Sequence, residues 1–232
     1  MRLDLWRAGW ARLLRGRRVT LEKVALVIAD ISGYTRFTRL SRGTQIHAEE
    51  IIFQLIEAVV DKAEYPLSVN KLEGDAVFLY SKIEGREAEA APDIAAQVVA
   101  FSATFRAKAE ELSRNRATCP CDACQHVLDL RLKAVMHYGI VTFKKIRRFE
   151  ELAGEDVILV HRLLKNGIEA SEYILMTDAF HRHAGDIPGY ERRTTVENNE
   201  HFGSIGLVVY TPGVARDAQA VAGPAAAIAT KA

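Results

Sequence analysis

The sequence predicts an α+β domain in which helices cover one face of a mainly antiparallel sheet. Three observations carry that prediction. The run VALVIA at 24–29 is continuously aliphatic, as a central strand buried on both faces requires. Two long segments, near 44–64 and 92–112, repeat apolar residues at helical spacing. Strand-like runs with Gly-containing turns separate and follow these helices.

Taken in order, the first strand ends at Asp30 and leads through ISGYT into a helix. From Thr44 to about Glu64, Ile46, Ile52, Leu55, Ile56, Val59 and Ala63 form one apolar stripe. LSVNKLEGDAVFLYS reads as two strands joined by a tight turn at Glu73-Gly74-Asp75. Pro92-Asp93 opens a second helix with the stripe Ile94, Val98, Phe101, Phe105 and Leu112. LDLRLKAVMHYGIVTF alternates and breaks at Gly139, predicting a pair of strand segments. A helix follows from about Asp156 to Lys165, then the strand YILMT with a short helix, then two strands within 190–210. A hairpin set between helices in this way is ferredoxin-like in character.

Composition narrows the classes. Thirty-one basic against thirty acidic residues leave a net charge of +1, which argues against a nucleic-acid-binding polycation. No apolar stretch approaches the roughly 20 residues of a membrane span, and arginines interrupt the early apolar residues where a signal peptide would need a continuous core. Three cysteines gathered in one loop do not form an extracellular disulfide framework, so a cytoplasmic protein is expected. Residues 1–21 hold six arginines and one acid beside Leu3, Trp6, Trp10, Leu13 and Leu14, a basic amphipathic helix. Such a helix packs on its own domain or a second subunit, or contacts an anionic membrane surface peripherally. The core domain is expected at 22–212, with a Cys-rich loop at 117–127, and the Ala-rich residues 213–232 read as a disordered tail.

Two acids stand out. In a ferredoxin-like sheet the first strand lies beside the hairpin, so Asp30 and Asp75 face each other across adjacent strands. Close carboxylates repel unless a proton or cation lies between them. Oxygen-only ligands with open positions suit Mg²⁺ or Mn²⁺ with substrate phosphates. Read alone, Asp30 is equally a helix cap and Gly74-Asp75 equally an ordinary turn.

ADISGYTRF, KLEGDAVF, LRLKAVMHYGIV, GEDVILVHRL and YILMTDAF, in that order over residues 24–180, resemble the class III nucleotidyl cyclase catalytic domain. HRLLKN and the Cys-rich loop are similar to a poorly characterised group of small bacterial cyclase-like proteins. The resemblance implies that Asp30 and Asp75 bind two metal ions for conversion of a nucleoside triphosphate to a cyclic nucleotide and pyrophosphate. It places Ile31 and Gly33 against the phosphates, and Lys71 and Glu151 at the purine-reading positions, a lysine there favouring ATP over GTP. It gives Arg162 the role of stabilising charge on the phosphoryl group. It also implies a homodimer, with the aspartates from one subunit and Lys71, Glu151 and Arg162 from the other. Two positions depart from the pattern. Ile158 stands where an asparagine orients the ribose, for which Asn166, one helical turn beyond Arg162, is a substitute, and no lysine occurs between Lys165 and Lys231. Arg192 or Arg193 would have to supply that charge. An adenylyl cyclase-like enzyme and a non-catalytic nucleotide-binding module are therefore both expected readings, and a docking scaffold using the N-terminal helix is a third.

Cys119, Cys121, Cys124 and His126 place three thiols and an imidazole within eight residues, a donor set for zinc. The tight Cys-x-Cys spacing equally suits reactive thiols or a redox pair. His137 reads as a core histidine on a central strand, and KKIRR at 144–148 as a solvated strand end.

Overall fold

A computed structural model describes residues 19–213. The expected N-terminal helix falls outside them, except that residues 19–21 belong to the first strand, and the Ala-rich tail beyond Gly213 also falls outside. The chain runs β1 (Val19–Ser32), α1 (Tyr34–Leu40), α2 (Gln45–Val60), β2 (Ser68–Glu73), β3 (Ala76–Ser81), α3 (Glu87–Asn115), α4 (Asp122–Gln125), β4 (Arg131–Ile146), β5 (Phe149–Ala153), α5 (Glu155–Leu163), β6 (Tyr173–Thr177), α6 (Asp178–Ala184), β7 (Tyr190–Asn199) and β8 (Gly203–Pro212). Strand order across the sheet is β2-β3-β1-β4-β6-β8-β7, with β5 paired to the far end of β4. All pairings are antiparallel except β4 with β6. This is the α+β, mainly antiparallel sheet that the sequence predicts.

Alternation along β1 builds two cores from one strand. Ala25, Val27, Ala29 and Ile31 point to a large core beneath α2, α3 and α6, where Leu55, Phe101, Phe105 and Phe180 meet them. Val24, Leu26 and Ile28 point to a smaller core on the opposite face, closed by α5 through Leu159, Val160 and Leu163. Among the described residues the helices thus gather on one side, and α5 alone crosses the other. Among the described residues no helix is long and apolar enough to cross a membrane.

Four local expectations change. Val19, Thr20 and Leu21 extend β1 because they pair with Lys144, Phe143 and Thr142 of β4. Gly139 does not break β4, which runs unbroken for 16 residues. Pro92 lies inside α3 rather than opening it, five residues after Glu87. Its ring faces solvent, so the carbonyl left without a donor can be hydrated. Ile46, one residue into α2, is 81% exposed and lies off the apolar stripe.

Candidate functional site

Antiparallel register sets the site. Asp30 on β1 lies opposite Ala76 on β3, one residue past Asp75, and Ile31 N–H donates to the Asp75 carbonyl at 3.2 Å. Both acids therefore open into one cleft of about 780 Å³, with Ile31, Gly33 and Tyr34 along one wall and Ile158, His161, Arg162 and Lys165 of the α5 segment along the other. The chain turns from β1 into α1 at Gly33 with φ +91°, a left-handed conformation that glycine adopts without strain.

Burial, and then the neighbouring Asp30 charge, push the Asp75 carboxyl up to about 6. A divalent cation would relieve that crowding, and two carboxylates with open positions form the donor set that Mg²⁺ or Mn²⁺ takes. One neutralising group is already present. Lys133, the register partner of Asp30 on β4, places Nζ 3.0 Å from Asp30 Oδ2, and both side chains are largely buried. Sequence reading missed Lys133, whose only signal is that it faces Asp30 once β1 and β4 are aligned.

A second group sits on the adjoining edge. Lys71 Nζ lies 2.9 Å from Glu151 Oε2 and 3.7 Å from Glu73 Oε1, joining β2 to β5. The bond it donates to Glu151, acting against partial burial, raises the Lys71 ammonium above its ordinary range. Glu73 in turn lies 2.7 Å from His161 Nε2, while His161 Nδ1 donates to the Val157 carbonyl. A chain of alternating polar groups thus runs from Glu151 to the cleft wall. Arg162 projects into the cleft with its guanidinium 5.7 Å from the Phe202 ring and a 3.4 Å bond to Asn199 Oδ1. In this single chain it shares a cleft with Asp30 and Asp75.

The departures also have locations. Ile158 lines the cleft, half exposed, and offers no hydrogen bond. Asn166 does not replace the missing asparagine. Its amide donates to the Leu163 carbonyl and Tyr173 Oη, and its oxygen accepts from Ile168 N–H, so it closes the end of α5. Arg192 and Arg193 line a different depression beside Asn166, whereas Lys165 and Arg36 reach the cleft.

His137 and Gly139 have a structural explanation. Asp156 at the start of α5 accepts from His137 Nε2 at 3.1 Å and from Ile140 N–H at 2.5 Å, while His137 Nδ1 meets Thr177 Oγ1 at 2.8 Å. Burial opposes charge on Asp156, yet these bonds hold its carboxyl below the usual range. A Cβ on residue 139 would lie 2.3 Å from Asp156 Oδ2, so only glycine fits. The motif His-x-Gly therefore docks α5, and with it Arg162, onto β4.

The cysteine loop is corrected in one ligand. His126 lies 2.9 Å from Asp129 and apart from the thiols. The imidazole beside Cys119, Cys121 and Cys124 belongs to His47 on α2.

The architecture is shared with nucleotidyl cyclase catalytic domains. The adenylyl cyclase CyaB from P. aeruginosa superposes with a TM-score of 0.61 at 13% identity, covering 85% of this chain and 98% of that one. The guanylate cyclase domain of RhGC from Catenaria anguillulae, solved with GTP, gives 0.56 at 16% identity over 83% and 98%. The catalytic core of a rhodopsin-guanylyl cyclase with converted specificity, solved with ATPalphaS, gives 0.57 at 16% over 84% and 99%. At these identities the likeness establishes the fold. The chain belongs to the family described as a protein of unknown function, DUF2652, whose profile matches residues 52–173. An uncharacterized protein of Mycobacterium tuberculosis, Rv2561/Rv2562, is 40% identical over 125 residues, 54% of this chain. The match spans 56% of that relative's length.

Proposed function

We propose that this protein is a nucleotidyl cyclase-like enzyme that binds a nucleoside triphosphate, ATP in preference to GTP, and forms cyclic AMP and pyrophosphate. The observation that carries the reading is the cleft in which Asp30 and Asp75 open together beside the Gly33 turn. Asp30 and Asp75 would hold Mg²⁺ or Mn²⁺, which neutralises triphosphate charge and favours ionisation of the attacking hydroxyl. Ile31 and Gly33 bring backbone against the phosphates. Arg162 opposes the charge that builds on the transferred group, and loss of one such preorganised donor typically costs about 10²–10³ in rate. Lys165 and Arg36 supply the cationic charge for which Arg192 and Arg193 are misplaced. Lys71 and Glu151, already joined at 2.9 Å, form a donor–acceptor pair for a purine edge.

The working unit in this proposal is a homodimer in the cytoplasm. The face that carries the cleft is covered by one nine-residue helix and the β4–β5 arm. Ile158 on the cleft wall and Ile146 and Phe149 on the arm are exposed, an apolar set that a second copy would bury.

Two observations favour a second reading, a nucleotide-binding module without turnover. Lys133 already neutralises Asp30, and Ile158 leaves the ribose without a partner. Purified protein incubated with ATP or GTP and Mn²⁺, with products separated by chromatography, distinguishes the two. The enzyme reading expects cyclic AMP from the wild type and none from Asp30→Ala or Asp75→Ala. Mn²⁺-dependent ATP binding without product would establish the module instead.

A further inference from the structure

The loop between α3 and β4, far along the chain from the Gly33 turn, folds back over the start of α2. There Cys119, Cys121, Cys124 and His47 bring one ligand atom each to within 4.8 Å of one another. His47 Nδ1 lies 3.3 Å from Cys121 Sγ and 3.7 Å from both Cys119 Sγ and Cys124 Sγ. Around tetrahedral zinc, with Zn–S of about 2.3 Å and Zn–N of about 2.0 Å, each N···S edge is about 3.5 Å. The three observed edges bracket that value. Cysteines paired as a disulfide would leave one thiol over, and all three are free.

We infer that His47, Cys119, Cys121 and Cys124 form a structural zinc site that staples α2 to the loop preceding β4. Three thiolates and a neutral imidazole select zinc among the common divalent ions, since soft sulfur ligands in tetrahedral array disfavour Mg²⁺ and Ca²⁺. The four ligands close the shell, leaving no open position for catalysis. Binding releases the thiol protons and leaves a site of net charge −1. Arg116, at the end of α3, stands beside Cys124 and is itself anchored to Glu50 of α2 at 2.9 Å. Its guanidinium balances that charge, as outer partners of metal ligands do. Gln125 Nε2 donates to the Cys119 carbonyl at 2.8 Å and Cys119 N–H to the Arg116 carbonyl at 2.9 Å, so the loop backbone is held in the ligating shape.

The staple has a consequence for the cleft. The same loop continues into Asp129 and Leu130, whose carbonyl and side chain lie where a Cβ on Gly33 would touch them, at 3.5 and 3.7 Å. Zinc therefore stiffens the support on which the Gly33 turn rests. This role is independent of whether the cleft turns over nucleotide.

Metal analysis and zinc-edge X-ray absorption on tag-free protein, purified without chelator, test the site. One zinc per chain with a shell of three sulfurs and one nitrogen is the expected result. His47→Ala should put a water oxygen where the imidazole nitrogen was, remove the outer-shell scattering of the imidazole ring, and weaken zinc binding by at least the roughly 10–100-fold that loss of an outer partner costs. His126→Ala should leave stoichiometry and shell unchanged. Hydrogen exchange at residues 117–130 and 31–36 should accelerate when zinc is stripped from the wild type. Absence of stoichiometric zinc would overturn the inference, as would imidazole ring scattering that survives His47→Ala or cysteines recovered as a disulfide from protein prepared under reducing conditions.

Discussion

Asp75 is a carboxylate that the metal-free fold tolerates poorly. Its native value near 6 lies above the ordinary 3.8, because burial and Asp30 both disfavour its charge. The native chain thus holds a proton there more tightly than the unfolded chain, so this stability is complete below about pH 4 and is lost as pH rises through 6. Asp75→Asn, measured with EDTA present, should match wild type near pH 4. At pH 8 it should exceed wild type by about 1 kcal/mol, a figure discounted for the half-exposed position. Equal pH profiles in chemical denaturation would disprove this. Gly139 is the opposite case, a residue chosen for what it lacks. Gly139→Ala drives a methyl into Asp156 and should cost about 1–3 kcal/mol in urea unfolding. In the Asp156→Ala background the same change should cost much less, because the clashing carboxylate is gone. Such residue-level facts were only half legible. Asp30 and Asp75 could be named from their place in strand and turn, whereas Lys133 and Asp156 matter through partners 19 to 103 residues away in register or contact.

Among the elements, α3 shows how packing overrides a local signal. Proline is favoured in a helix's first turn, yet Ala90 and Ala91 before Pro92 are buried in the larger core, and burying them extends the helix back to Glu87. Glu87 and Glu89 then fall in the first turn, where acids favour the helix dipole. Pro92 nevertheless removes one backbone hydrogen bond on the exposed side. Pro92→Ala should therefore raise stability by about 1 kcal/mol without affecting any cleft property, readable as a shift in thermal midpoint. A decrease would mean that the ring makes packing contacts that outweigh the missing bond. Gly139 misled in the same way, since a glycine inside an alternating run signals either a strand end or a close approach, and only the docking of α5 on β4 distinguishes them.

At the scale of the molecule, the two faces of the sheet differ in kind. Among the described residues, one is sealed by α2, α3 and α6, and the other keeps the cleft beside α5. In the proposed dimer each site takes its aspartates from one chain and Arg162 from the other. Asp30→Ala and Arg162→Ala, each inactive alone, should then recover roughly a quarter of wild-type activity when mixed at equal concentration, since half the dimers are mixed and each holds one intact site. Activity in the wild type with no recovery in the mixture would assign both groups to one chain, as their shared cleft in the single chain permits.

Sequence by itself determined the elements and their class, because strand alternation, helical periodicity and turn glycines are local properties that survive without knowledge of the partners. It also marked Asp30, Asp75, Lys71, Glu151 and Arg162 as candidates through motif order. Tertiary structure decided what those residues meet. His47 stands 72 residues before Cys119 and carries no local mark of a ligand, while His126, two residues after Cys124, has the spacing but turns to Asp129. Lys133 reaches Asp30 only because β1 and β4 pair antiparallel over fourteen residues, and Asn166 is consumed closing α5 before it can serve a substrate. Each outcome depends on contacts between segments far apart in the chain, and spacing along one segment holds no information about them.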